Sequence, residues 1–192
     1  MKLSVVIPAY NESENLRDAI DMISAGISAV VSEYEIIIID DGSQDATGDI
    51  IRDLANHNEN IRGIFHGENR GKGASLRSGF NVASKDWLLL TDADLQIDIS
   101  ELGAFLDYVK GYDLVIGFRT GRSDHVLRLV FSKIFTFIIS VLLGVRIRDI
   151  NYPFKLLKNS MINTLELHSR QTAVGSRSWR LPPGQGLIWS AI

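Results

Sequence analysis

The sequence predicts one α/β domain built on a single, mostly parallel sheet flanked by helices. Three observations carry this. Apolar, β-branched runs alternate five times with helical stretches across short polar links. Several of the runs are continuously apolar, as strands buried on both faces are. And 192 residues suffice for one such domain with a real core, but not comfortably for two.

The elements follow in order. Leu3 to Ile7 reads as a strand ended by Pro8, which cannot donate to a ladder. A polar cluster, Asn11-Glu12-Ser13-Glu14-Asn15, opens a helix whose apolar stripe is Leu16, Ile20, Ile23 and Ile27. Glu35 to Ile39 is the clearest buried strand, broken by Asp40-Asp41-Gly42-Ser43. Then come a helix over Asp45 to Asn56, a strand over Ile61 to His66 and a glycine-rich turn. A helix over Lys72 to Ser84 leads to a strand over Trp87 to Thr91. Ser100 caps a helix reaching Lys110, and Leu114 to Gly117 is the fifth strand. Leu127 to Val145 is strongly apolar, while the tail from Leu167 holds no acidic residue and no usable period.

Composition narrows the function classes. A formal charge of −3 offers no electrostatic case for nucleic acid. The absence of cysteine excludes disulfides and thiolate metal sites. The N-terminal apolar run is too short for a signal peptide and meets Pro8 at once.

Open parallel sheets bind ligands beyond the carboxyl ends of their strands. The first strand ends in Pro8-Ala9-Tyr10-Asn11-Glu12, without the G-x-G-x-x-G of a dinucleotide site. The second ends in Asp40-Asp41, a pair suited to a ribose or base edge and equally to loop capping. The fourth is followed by Asp92-Ala93-Asp94, whose carboxylates, two residues apart in an extended chain, can face one cation. Hard oxygens suit Mg²⁺ or Mn²⁺, and such a metal would stabilise a departing nucleoside diphosphate. The bland reading is an exposed acidic turn, against which the position after a buried strand weighs. Asn69-Arg70-Gly71-Lys72-Gly73 is not a P-loop. Gly67 lies one residue too close to Gly71-Lys72, and Gly73 replaces the hydroxyl residue. It is instead a basic turn entering a helix, suited to phosphate. Arg119 follows the fifth strand, and Arg128 and Ser132 would share a helical face, a pairing suited to phosphate or to solvated surface. Leu127 to Val145, broken by Lys133 and flanked by Arg122, Arg146 and Arg148, reads as a helix lying on a membrane surface, with a buried core helix as the rival.

Five segments in order resemble the family 2 glycosyltransferases, and among them the dolichyl-phosphate mannose synthase group. They are Val5 to Glu12, Ile39 to Ser43, Asn69 to Gly73, Asp92 to Gln96 and Asp149 to Lys155. The resemblance implies a GT-A fold, an inverting transfer from a GDP- or UDP-sugar, and a divalent metal. It makes Pro8, Tyr10, Glu12 and Asp41 nucleoside contacts and puts Lys72 near the diphosphate. Asp92, Asp94 and Gln96 match the metal positions. Arg119, Arg128, Ser132 and Lys155 resemble holders of donor and acceptor phosphate. Asp-Ala-Asp-Leu-Gln is closer to the polyprenyl-phosphate branch than to polysaccharide synthases, so the expected acceptor is a polyprenyl phosphate and the expected location the inner face of the membrane.

The resemblance departs at Tyr152, where many relatives carry a small residue or cysteine, and after Ser169, where the tail resembles a truncated or frame-shifted end. The domain reading is therefore a catalytic domain over 1–168, with 127–147 as the interfacial or core helix, and an atypical tail over 169–192. A saccharide acceptor on the same fold, or a nucleotide-sugar-binding module without turnover, remain the alternatives. A nucleotidyltransferase is disfavoured because Pro8 to Glu12 occupies the place of its glycine-rich basic loop.

Overall fold

The computed structural model describes residues 1–93, 99, 102–118, 154–164 and 187–191. Chain order runs β1 (Lys2–Ala9), α1 (Leu16–Val30), β2 (Glu33–Asp40), α2 (Thr47–His57), β3 (Ile61–Phe65), α3 (Lys72–Val82) and β4 (Trp87–Leu90). It continues through α4 (Leu102–Leu106), β5 (Leu114–Phe118), β6 (Lys155–Lys158), a 3₁₀ helix (Asn159–Thr164) and β7 (Leu187–Ala191). The strands form one sheet in the order β3-β2-β1-β4-β6-β5-β7.

The chain starts at β1, steps outward to β2 and β3, then returns to place β4 on the other side of β1. All three of those pairings are parallel, with Val6 opposite both Ile37 and Leu90. The strand order thus reverses at β1, and the loops after β1 and β4 diverge from that point. In sheets of this type the divergence opens a crevice.

The continuous apolar runs are explained by burial on both faces. Leu3, Val5 and Ile7 join one core with Leu16, Ile20, Ile23 and Ile27 of α1, Ile51 and Leu54 of α2, and Phe105 of α4. Val6, Ile37, Ile39, Leu88 and Leu90 point the other way, onto Leu76 and Phe80 of α3. Phe105 and Phe154 meet edge to face with ring centres 4.8 Å apart, tying α4 to the residue before β6.

Four features differ from the sequence reading, one being that α4 stops at Leu106 rather than reaching Lys110. The first helix begins at Leu16 rather than Asn11, because Asn11 is left-handed, with φ of 55°, and residues 11–13 are held to Ser43, Thr47 and Asp45. β6 runs antiparallel between β4 and β5, with Lys155 opposite both Leu90 and Ile116. And the tail, which shows no period, contributes β7, parallel to β5.

Candidate functional site

The site is assembled by loops at the carboxyl ends of β1, β2, β3 and β4. Asn11 adopts a left-handed conformation, with φ of 55°, which asparagine tolerates better than most residues. Its Oδ1 accepts from the Gln44 N–H at 2.8 Å, and its own N–H donates to Ser43 Oγ at 3.0 Å. The Glu12 N–H donates to Thr47 Oγ1 (2.8 Å) and the Ser13 N–H to Asp45 Oδ2 (3.2 Å). Asp45 also accepts from the Thr47 N–H and hydroxyl. Burial raises the Asp45 carboxyl, but donation from Thr47 and Ser13 outweighs it and holds the group far below the ordinary range. These bonds fasten the Asn11–Ser13 segment, just past Tyr10, to the loop after β2 and the start of α2.

Asp41 organises the opposite wall. Only 5% of its side chain is exposed. Oδ1 accepts from His66 Nδ1 (2.7 Å) and the Arg70 N–H (3.1 Å), and Oδ2 from the Gly71 N–H (2.8 Å). Burial pushes this carboxyl up, but His66, the Arg70 N–H, Ser75 and the Gly71 N–H together hold it below the ordinary aspartate value. A carboxylate offers about four acceptor positions, so Asp41 is largely committed to holding the glycine-rich loop. Gly42 lets that loop come close. Its φ is 73°, and a Cβ there would lie 2.4 Å from the Glu68 carbonyl carbon. Gly71, with φ of 85°, then turns the chain into α3 so that Lys72 is its first residue.

The walls enclose a cleft of about 340 Å³ lined by Pro8, Tyr10, Glu12, Asp41, Lys72 and Asp92, with Asn69 and Ser75 beside them. Tyr10 is 42% exposed and lines the cleft. Lys72 reaches across the cleft and its ammonium pairs with Asp92 Oδ1. This ammonium is a stand-in for a cation. It shows that Asp92 lies where positive charge is held, with a hard oxygen donor aimed into the cleft, and so fits the acidic half of a Mg²⁺ or Mn²⁺ site. Among the described residues no cluster of three or more candidate ligands forms.

Pro8, Tyr10, Glu12, Asp41, Lys72 and Asp92 are therefore brought together. Lys155 starts β6 opposite Leu90, at the same end of the sheet, and is half-buried. Asp94, Gln96, Arg119, Arg128, Ser132 and the Leu127 to Val145 stretch lie outside the described residues. Among the described residues no helix is long and apolar enough to cross a membrane. The sequence reading missed His66, Ser75 and Ser78. His66 stands one residue beyond β3, so the strand-end rule applied to the first, second and fourth strands would have found it at the third. The two serines carry no signal until α3 is docked.

Comparison with known proteins agrees with this geometry. The model of glycosyl transferase family 2 matches residues 4–172. The undecaprenyl-phosphate 4-deoxy-4-formamido-L-arabinose transferase of Photorhabdus laumondii is 32% identical over 176 residues, covering 90% of this chain and 54% of that protein. Its counterpart from Yersinia enterocolitica is 31% identical with the same coverage. The chain thus spans about half the length of these relatives. Among solved structures, the mannosyltransferase PcManGT from Pyrobaculum calidifontis, in complex with GDP-Man and Mn²⁺, superposes with a TM-score of 0.62 at 18% identity, covering 84% of this chain and 46% of that one. Glucosyl-3-phosphoglycerate synthase from Mycobacterium tuberculosis, in complex with UDP, gives 0.62 at 26% identity, covering 85% and 59%.

Proposed function

The chain belongs to glycosyl transferase family 2, and from that premise we propose that it moves a sugar, with inversion, from a nucleotide-diphosphate sugar to a polyprenyl phosphate. The GT-A fold anticipated from the sequence is the fold its solved neighbours share. The observation that carries the reading is the single cleft joining an exposed aromatic ring, a lysine on a glycine-rich loop and an acidic strand end. A nucleotide sugar asks for these three chemistries side by side. Tyr10 offers a face for a base, Lys72 a charge for the diphosphate, and Asp92 an anchor for a divalent metal. The names of the curated relatives support the polyprenyl phosphate acceptor.

Within that reading, each residue has a bounded task. Lys72 and the first turn of α3 hold donor phosphate oxygens, and Asp92, with Asp94 and Gln96, holds the metal. A bound Mg²⁺ or Mn²⁺ supplies charge stabilisation to the departing diphosphate. A phosphate monoester has its second pKa near ~6, so it arrives largely as the dianion and needs little help from a general base. The remaining task is alignment of its oxygen behind the anomeric carbon, for which Lys155, Arg119, Arg128 and Ser132 are the proposed holders. The Leu127 to Val145 stretch, with arginines on its flanks, would meet the lipid at the inner membrane face.

The test is a panel of GDP- and UDP-sugars with Mn²⁺, followed by nucleoside diphosphate release with and without undecaprenyl phosphate in detergent. Release from one donor, dependent on the lipid and abolished in Asp92→Asn, is the expected result. Release that ignores the lipid would return the acceptor to saccharide or water, and no binding of any nucleoside diphosphate would overturn the donor.

A further inference from the structure

His66 is outside the cleft lining and borders a neighbouring pocket with Arg70 and Ser78, and its side chain is only 5% exposed. Both ring nitrogens are engaged: Nδ1 with Asp41 Oδ1 at 2.7 Å and Nε2 with Ser78 Oγ at 2.9 Å. An ionised carboxylate can only accept, so Nδ1 carries a proton and donates it to Asp41. In the neutral ring Nε2 then accepts from the Ser78 hydroxyl.

A buried histidine with two partners is often no more than a satisfied core residue. The identity of the partners argues for more here. Asp41 accepts the Arg70 and Gly71 N–H groups, so it fixes the backbone just before Lys72. The Ser75 hydroxyl of α3 donates to the Gly71 carbonyl at 3.4 Å, and Ser78 sits three residues further along the same helix. His66 itself is anchored, its N–H donating to the Asp40 carbonyl at 2.9 Å. One imidazole therefore braces the glycine-rich loop and the first turns of α3 against the ends of β2 and β3.

We propose that His66 is a positioning residue for the donor diphosphate: by bridging Asp41 and Ser78 it sets the backbone from which Lys72 enters the cleft. This rests on the nucleotide-sugar reading above. The imidazole touches no substrate and acts through Asp41. The brace reaches the cleft chiefly through the loop that carries Lys72, so its loss should weigh more on the phosphate half of the donor than on the nucleoside half.

Two measurements on the whole chain decide it. The first is amide hydrogen exchange without ligand, in wild type, His66→Leu, His66→Asn and Ser78→Ala. His66→Leu cuts both bonds, and its Arg70 and Gly71 amides should exchange roughly tenfold faster, while Ile37 and Ile38 in the sheet centre keep their protection. The second is binding of GDP and UDP against guanosine and uridine, all with Mn²⁺. Diphosphate affinity should fall roughly five- to tenfold in His66→Leu, with a clearly smaller loss for the nucleosides. The side-chain amide of His66→Asn keeps a donor toward Asp41 and should restore most of both effects. Ser78→Ala should show a smaller change of the same kind, and it decides the matter if His66→Leu does not fold. Exchange at Arg70 and Gly71 that stays at the wild-type rate would overturn the proposal. So would equal losses for diphosphate and nucleoside, loosening spread evenly through the sheet, or no rescue by asparagine. A wild type that binds no nucleoside diphosphate overturns the donor reading and the assigned ligand with it. Faster exchange at Arg70 and Gly71 in His66→Leu would still show, in that case, that His66 holds the loop.

Discussion

Replacing Lys72 with methionine should move two affinities in opposite directions. In the protein without metal, the Lys72 ammonium neutralises Asp92 Oδ1. The two side chains are 39% and 30% exposed, so solvent screens the pair and its worth is about 0.5–1 kcal/mol. A divalent cation binding Asp92 must displace that ammonium. Lys72→Met removes the competitor and should raise Mn²⁺ affinity by roughly 2- to 5-fold. The displaced ammonium is what the donor diphosphate would gain. Its loss removes a charge-assisted contact of about 1.5–2 kcal/mol, so GDP and UDP should bind roughly 10- to 30-fold more weakly. Methionine keeps the apolar stem, so the thermal midpoint should change little. The Mn²⁺ arm is read by electron paramagnetic resonance of free metal. The nucleotide arm is read by calorimetry at saturating Mn²⁺, so that the gain in one does not hide the loss in the other. A fall in Mn²⁺ affinity would refute the competition between ammonium and metal. Unchanged GDP and UDP binding would remove Lys72 from the phosphate site.

Two further outcomes concern stability. Because the folded Asp41 carboxyl titrates below its unfolded value near ~3.9, its contribution is present above that pH and is lost as pH falls through the folded value. Thermal melts should therefore show the wild type losing stability below about pH 4, and Asp41→Asn, less stable at pH 7 by about 1–3 kcal/mol, flattening that acid limb. An acid limb of the same depth in the variant would assign the loss to other carboxylates. Asp45→Ala removes the acceptor for Ser13 and Thr47 at the start of α2 and should cost about 1 kcal/mol in urea denaturation, with nucleotide binding weakened through the freed Asn11–Ser13 segment just past Tyr10. Full stability in that variant would mean water replaces the carboxylate without loss.

Much of the sheet was legible because its signal is local. Glu35 to Ile39 is continuously apolar after its first residue, and Ile36 to Ile39 are fully buried. The stripe Leu16, Ile20, Ile23 and Ile27 lies on the core face of α1. Tyr10, Glu12, Asp41 and Asp92 stand just past strand ends and Lys72 in a basic glycine-rich turn, and the cleft forms where those loops meet. β6 was not legible. Four residues with lysine at each end carry no period, and the strand exists through partners more than 30 residues away in sequence on both sides.

The sequence by itself determined which residue types stand at which strand ends, and so the chemistry available to the site. Hydrophobic periodicity and turn residues act over a few positions, and they specify elements and their limits. The tertiary structure decided which of those groups meet. Returning β4 to the far side of β1 brings Asp92 to Lys72, 20 residues earlier in the chain. Laying β3 beside β2 brings His66 against Asp41 and makes that carboxylate the brace of a loop as well as part of the cleft wall. Side-chain hydrogen bonds reach about 3 Å, and no local pattern encodes which distant segments will come within that range.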